Sequence, residues 1–297
     1  MASLPGTTCG LDSVKACHGD RPVPGRPMPS WADPLALKKG AMQTEDIHCL
    51  WDDLSDFQAS QPDRACAYLM AQLCGLVEAW NATWAGAIRF DGGDADDPLQ
   101  GWRVGAVQAL RAIEPHPDEG HFKEIRRVWD RREIDPSFLL LPMRGVGTFR
   151  TYSFRRELPA EWFESDFYAH HYGSVGTHDA VFVAFPLNDD CESHCGFYSA
   201  RTFRDEEIAL LAYALRGIKW FHRQLLLGSG LLMASTPLTS TECEVLQLLL
   251  SKASEKEIAR RKGIATSTAH QHVTAIFRKF GVRSRAELMS LWLNSGG

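Results

Sequence analysis

The C-terminal part of this chain repeats one short pattern three times. A hydroxyl residue is followed three positions later by glutamate, at Thr239 and Glu242, Ser254 and Glu257, and Ser284 and Glu287. In such a box the hydroxyl accepts from a first-turn backbone N–H while the carboxylate reaches back to the N–H of the capping residue, so each copy marks a helix start. Between the second and third boxes runs TSTAHQHVTAIFRKFGV (266–282). There Ala269, Val273, Ile276, Phe277 and Phe280 recur at helical spacing, and Gly281 supplies a stop. The spacing predicts four short helices, over about 240–251, 255–262, 266–280 and 284–293. The third has an outer stripe of Thr266, Ser267, His270, Gln271, Thr274 and Arg278. Hydroxyls and free amides at a helix N-terminus suit phosphate. Further along the stripe, Gln can pair with adenine and His can donate to guanine. A short helix and the tight turn Arg260-Arg261-Lys262-Gly263-Ile264 precede it, which is a helix-turn-helix order.

Charge supports a separate module. The chain has 297 residues and a net charge of -5. From Thr236 onward it carries nine Lys/Arg against five Asp/Glu, leaving 23 basic and 32 acidic residues in the remainder. A basic tail on an acidic body fits a domain that meets phosphates.

The stretch LTSTECEVLQLLLSKASEKEIARRKGIATSTAHQHVTAIFRKFGVRSRAEL resembles the DNA-binding domain of LuxR-type (NarL/FixJ-type) transcription regulators. The matching residues include Leu238, Thr239, Glu242, Val245, Ser254, Lys256, Glu257, Ile258, Ala259, Thr268, Ile276, Lys279, Gly281 and Arg285. The resemblance implies a four-helix fold, a recognition helix in the major groove of duplex DNA, and a homodimer formed through the last helix. RNA polymerase is a further expected partner. Base reading is expected of His270, Gln271, Thr274 and Arg278. Phosphate contact is expected of Ser254, Lys256, Thr266, Ser267, Thr268, Lys279 and Arg285. Four positions depart from the family pattern: Ala265 replaces the usual capping Ser, Ala269 a Val, Lys262 a core Leu, and His270 a Lys that approaches bases. Thr266 or Ser267 is expected to cap instead of Ala265.

Ahead of this module the reading gives a weakly ordered leader (1–45), a mixed domain (46–227) and a linker (228–237). Residues 63–80 have helical spacing, and 83–90, 102–110, 147–154, 179–187 and 194–203 read as strands. Residues 121–132 read as helix, 161–173 as an aromatic helix or turn, the NDDCES stretch as a turn, and 204–227 as one long terminal helix. The ending FVAFPLNDDCESHCGFYSARTFRDEEIALLAYAL resembles the closing strands and helix of GAF domains: a glycine-centred strand, a Phe, an acidic turn and an amphipathic helix. The expected fold class is thus an α+β GAF-like sensor, an α/β/α-layered antiparallel sheet, followed by an all-α helix-turn-helix domain.

What the mixed domain senses stays open at this level. Its aromatics point to a small-molecule effector pocket, with Trp84, Trp102, Tyr152, Trp162, Tyr168, His171, His178 and Asp179 as candidate lining residues. A filled domain that binds a protein partner is the alternative. Cys191, His194 and Cys195 in CESHC raise a thiol or zinc sensor as a third reading, against a plain turn. Ile208, Leu211, Leu215, Ile218, His222 and Leu225 suit either a dimer coiled coil or packing onto the sheet. No Gly-rich phosphate loop, G-x-S-x-G or H-E-x-x-H occurs, so no enzyme and no cofactor is expected. No apolar run is long enough to span a membrane, and the N-terminus lacks a signal-peptide core. The eight cysteines are expected to be reduced thiols in a cytoplasm.

Overall fold

A computed structural model of the chain describes residues 34–89, 97–111, 131, 135–139, 144–232 and 238–293. The chain divides into a first unit, residues 1–42, and a second, Gln43–Gly297, which holds everything discussed below. Of the first unit only the start of a helix is described, α1 (Pro34–Ser55). This helix crosses the boundary expected near residue 45. Past that boundary its apolar positions Ile47, Leu50 and Leu54 are buried, so tertiary packing holds this part of the helix.

Helix α2 (Pro62–Val77) starts with proline in its first turn and ends where Glu78 turns left-handed at φ 53°. Next come β1 (Asn81–Arg89) and β2 (Trp102–Ala109), then β3 (Arg150–Ser153), β4 (Asp179–Asn188) and β5 (Cys191–Ser199). They form one antiparallel sheet of order β2-β1-β5-β4-β3. The strand expected over 147–154 is shorter, because the chain turns into a single helical turn at Phe154–Glu157. The aromatic segment becomes a 3-10 turn, Ala160–Glu164, and a short helix α3 (Asp166–His171) capped by Ser165. The helix expected over 121–132 falls almost wholly outside the described residues.

Two expectations are corrected by the sheet and its helices. CESHC is strand, since β5 begins at Cys191 and the turn shrinks to Asp189-Asp190. Cys191, Cys195 and Phe197 join the helix-side core, while Glu192 and His194 alternate onto the opposite face. The long terminal helix is two helices, α4 (Asp205–Arg216) and α5 (Lys219–Gly228). Its break has a visible cause. Trp51 Nε1 donates to the Ala214 carbonyl at 2.9 Å, and His222 Nε2 donates to the Leu215 carbonyl at 2.9 Å. Those carbonyls would serve Ile218 and Lys219 in an unbroken helix. Gly217 lies under the Trp51 indole, where a Cβ would sit 2.3 Å from the ring.

One sheet face carries the main core. Trp84, Val181, Val183, Cys195 and Phe197 pack there against Leu69, Met70 and Leu73 of α2, Leu211 and Leu215 of α4, and Phe221 and Leu225 of α5. The seam residues proposed for a coiled coil, Ile208, Leu211, Leu215, Ile218, His222 and Leu225, are at most 4% exposed within this core. They pack onto the sheet and are not available for a coiled coil. Beyond α5 the start of the expected linker is docked: Leu231 and Leu232 are buried, and the Leu231 N–H bonds the Leu226 carbonyl at 2.9 Å. The Leu231 side chain lies on Gly86 and Gly105, where a Cβ at either would come within 2.4 Å of it.

The C-terminal helices are α6 (Ser240–Leu250), α7 (Glu255–Lys262), α8 (Thr266–Lys279) and α9 (Arg285–Leu293), close to the predicted spans. Val245, Leu246, Leu249, Ile258, Ala269, Val273, Ile276 and Leu288 form their core. Gln247 on α6 reaches back to Asp63 on α2 at 2.8 Å. Among the described residues no helix is long and apolar enough to cross a membrane.

Candidate nucleic-acid interface and effector face

The three predicted boxes close in different ways. At Thr239 both bonds form: Thr239 Oγ1 accepts from the Glu242 N–H at 3.2 Å, and Glu242 accepts from the Thr239 N–H at 2.7 Å. At Ser254 only the hydroxyl arm forms, because the Glu257 carboxylate is taken by Arg260 and Arg261, each at 2.6 Å. At Ser284 the hydroxyl accepts from the Glu287 N–H at 3.1 Å, but Glu287 reaches the Arg283 N–H instead. Helix α8 starts after Ala265, extended at φ -66° and ψ 149°, with no side-chain cap. Thr266 and Ser267 are therefore inside the helix and do not cap it. Its first-turn amides stay unclaimed by any capping side chain, which is the arrangement that binds anions.

The turn between α7 and α8 is set by Gly263, at φ 65°. Ile258 and Ala259 of α7 are buried against Ala269, Val273 and Ile276 of α8. That fixes the helix phase, and Thr266, Ser267, His270, Gln271, Thr274 and Arg278 are all exposed on the other side. Ser254 and Lys256 are exposed at the start of α7, and Thr268 is half-buried.

Two residues expected on phosphate are turned inward. Lys279 Nζ donates to Glu242 Oε2 at 2.7 Å, with only 17% of its side chain exposed. Burial raises the Glu242 carboxyl, but the Lys279 and Thr239 hydrogen bonds outweigh it and hold the group below its ordinary value. Arg285 donates to the carbonyls of Ala253 and Leu249 and so closes the end of α6. Lys262, at a position where the family pattern has Leu, pairs with Glu244 on α6. These partners lie 18 to 37 residues away, and no local pattern signals them.

In the N-terminal domain the eight pocket candidates separate. Tyr152, Trp162, Tyr168 and His171 gather on the sheet face opposite the main core, with Phe154, Tyr172, Phe182 and Tyr198. Tyr152 stacks on Phe182 at 5.1 Å, and Trp162 meets the rings of Phe154, Tyr168 and Tyr172 at 5.1, 5.2 and 5.9 Å. The Trp162 N–H donates to Asp135 at 3.0 Å. Trp84 lies on the other face and belongs to the core. Trp102 is buried at the sheet edge, where Arg89 approaches its ring at 6.0 Å. His178 is exposed and faces Arg155 at 3.2 Å. Asp179 is fully buried, and its carboxylate accepts from the Ser153 hydroxyl and from the N–H groups of Ala180, Arg155 and Phe203. These bonds consume its acceptor capacity and give it a structural role.

A buried ion cluster flanks the aromatic group on the same face. Arg150 grips Glu192 with two bonds of 2.9 Å, the Gly147 N–H adds a third at 2.8 Å, and His194 lies 3.0 Å from the same carboxylate. Burial raises the Glu192 carboxyl, but its bonds to His194 and Arg150 prevail and hold it down at about 2. His194 thus serves Glu192, on the face opposite Cys191 and Cys195. Burial pushes both thiols up to about 12, so they are protonated near neutrality. Strand geometry puts those two cysteines roughly 13 Å apart. The zinc and thiol readings lack the geometry they need.

On the core side a polar chain crosses from sheet to helix. Trp84 Nε1 donates to Ser193 Oγ at 2.8 Å, Ser193 donates to His222 Nδ1 at 2.8 Å, and His222 Nε2 donates to Leu215. The carbonyl can only accept, so it fixes the His222 tautomer and, through it, the direction of each bond. Burial lowers the His222 pKa to about 4. The unfolded chain, with its ordinary value near ~6.5, takes up that proton first. Stability should therefore fall as pH drops from about 6.5 to about 4, by roughly 3 kcal/mol in total. Urea unfolding between pH 7 and 4.5 measures this, and His222→Asn should flatten the slope. An equal slope in the variant would show that His222 is not the group responsible.

Three short helices packed on a recognition helix whose polar face is exposed define a helix-turn-helix DNA-binding domain. Residues 236–292 match the model of the bacterial regulatory proteins, luxR family, so the C-terminal domain is a luxR-family DNA-binding domain. No curated protein matches the sequence. Among solved structures, the VqsR LBD domain from Pseudomonas aeruginosa is similar at 16% identity and TM-score 0.40, over 63% of this chain and 97% of that one. SdiA in complex with octanoyl-rac-glycerol aligns at 13% identity and TM-score 0.42, over 89% and 96%. Escherichia coli SdiA in another crystal form aligns at 14% and 0.41, over 84% and 96%.

Proposed function

We propose that the protein is a cytoplasmic, homodimeric transcription regulator that reads a specific duplex through the outer stripe of α8, under control of a signal received by its N-terminal domain. The observation that carries this reading is the phase of α8: Ala269, Val273 and Ile276 are buried while His270, Gln271, Thr274 and Arg278 are exposed. Ser254, Lys256, Thr266, Ser267 and Thr268, with the uncapped amides of α8, then meet phosphate. Lys279 and Arg285 hold the fold. The dimer follows from the small reach of one recognition helix, which reads a single half-site. RNA polymerase is the natural further partner, and no catalysis is assigned.

The domain plan we infer is a sensor ending near Gly228, a docked connector, and a DNA-binding domain from Leu238. The GAF-like description of the sensor is supported by its closing order: Gly196 at the centre of β5, then Phe203, the acidic run Asp205–Glu207 and amphipathic α4. For the signal we infer a small molecule on the sheet face that gathers Tyr152, Trp162, Tyr168 and His171. Ala184 and Gly196 share that face with the aromatic rings, and the Phe182 ring lies over Gly196. A second reading, a protein partner and no small ligand, is favoured by the ring-on-ring packing of the same cluster. Among the described residues an open cleft of about 310 Å³ lies elsewhere, between α1 and α2, lined by Asp46, Asp53 and Tyr68 among others.

Native mass spectrometry of the full chain from its own host separates these readings. A dimer carrying a retained small mass supports effector sensing, and a bare dimer supports the partner reading. A strict monomer on operator DNA would sink the dimer. On the DNA side, Gln271→Ala should cost roughly 1–3 kcal/mol at the operator and relax one base pair in each half-site, as loss of a bidentate adenine contact does. Equal loss on all sequences would instead mark Gln271 as a phosphate contact.

A further inference from the structure

We propose that Glu255 sets which base edge His270 reads, by holding the ring so that it accepts a hydrogen bond from the amino group of adenine or cytosine. This rests on the DNA-binding role of α8. Glu255 is the first residue of α7, and the turn at Gly263 brings it against His270 in the next helix. His270 Nδ1 lies 3.1 and 3.3 Å from the two carboxylate oxygens. The neighbouring acid Glu257 is occupied by Arg260 and Arg261, so Glu255 is the carboxylate that serves the histidine.

An ionised carboxylate has no proton to give, so the shared hydrogen sits on Nδ1 of the ring. A neutral imidazole carries a single N–H, which leaves Nε2 as a bare acceptor. Nδ1 adjoins the root of the side chain, and Nε2 is at the far end. The side chain is 65% exposed, on the stripe it shares with Gln271 and Thr274. In the major groove the donors are the N6 amino group of adenine and the N4 amino group of cytosine. A histidine without this neighbour could take the other tautomer and donate to guanine. In the neutral ring the carboxylate removes that option, whereas a ring carrying both protons would donate from Nε2 and make wild type prefer guanine. The carboxylate also places a negative charge beside the phosphates, so it should weaken binding to every sequence while sharpening choice at one position. Glu255 is therefore a positioning residue for base readout, and its two effects have opposite signs.

Selection from a pool of randomised duplexes by the full-length protein, with sequencing of the bound fraction, tests this. Wild type, Glu255→Ala and His270→Ala are compared. Glu255 is 39% exposed at its side chain, so its removal leaves the fold intact. His270→Ala should make one position of each half-site degenerate. At that position wild type should hold an adenine or cytosine edge by about tenfold over guanine. Glu255→Ala should admit guanine there and bind non-specific DNA more tightly. Three results overturn the proposal: guanine preferred by wild type at that position, an unchanged preference in Glu255→Ala, or a change confined to a different position, which would mean that Glu255 contacts a base itself. If wild type enriches no sequence at all, the DNA-reading role of α8 fails, and the proposal with it.

Discussion

Ile276→Asp should leave the full-length protein unable to bind DNA because its C-terminal domain no longer folds. Ile276 is fully buried in the core shared by α6, α7 and α8. The substitution removes a large apolar side chain and adds a charge, at a cost of at least about 4 kcal/mol. A domain of this size holds roughly 5 kcal/mol in reserve. Circular dichroism should lose the helical signal of the C-terminal domain, and its thermal transition should vanish. Thr274→Asp, two residues away and on the exposed stripe, is the matched control. It should keep the fold and weaken DNA binding through repulsion from phosphate. An unchanged unfolding transition in Ile276→Asp would show that the helix phase is wrong.

Arg150→Met should strongly destabilise the N-terminal domain. Glu192 is 1% exposed and depends on the paired guanidinium. Removing one partner of a buried ion pair costs about 3–5 kcal/mol, because the other charge is left without compensation. Converting both to apolar residues, Arg150→Met with Glu192→Leu, should recover much of that loss. The same pair sets an acid limit. The folded-state value of Glu192, about 2, lies below the ordinary carboxylate value. Its contribution is thus complete above about pH 4.5 and fades as pH falls towards 2. The unfolding midpoint of wild type should show this loss, and the double variant should show less of it. A double variant as unstable as Arg150→Met would mean that shape, not charge, governs the site.

The C-terminal domain was legible because its signals are local. Capping hydroxyls, Gly263, Gly281 and the spacing of Ala269, Val273 and Ile276 all act within a few residues of the structure they specify. What escaped there depends on distant partners: Lys279 turns to Glu242, and Arg285 to the end of α6. The mixed domain shows the same division. Its strands were visible from alternation, except where polar identity concealed it, as at Glu192, Ser193 and His194. Glu192 and Ser193 are buried and His194 is half-buried, because they satisfy one another or reach Arg150, Trp84 and His222 across the fold. The break before α5 comes from Trp51, 163 residues from the carbonyl it takes. The candidate effector face could be narrowed only once strand register assigned Trp84 to one side and Tyr152 to the other.

The seat of Leu231 on Gly86 and Gly105 bears on how this protein can be taken apart or recombined. The residue belongs by position to the connector, yet it fills space in the sheet that no side chain of the sheet fills. A sensor cut at Gly228 would expose a two-glycine hollow to water, and a chimera joining this DNA-binding domain to a foreign sensor would carry a leucine with nowhere to lodge. The natural point of exchange between such modules therefore lies after Leu232, and portability depends on two glycines far upstream in the chain.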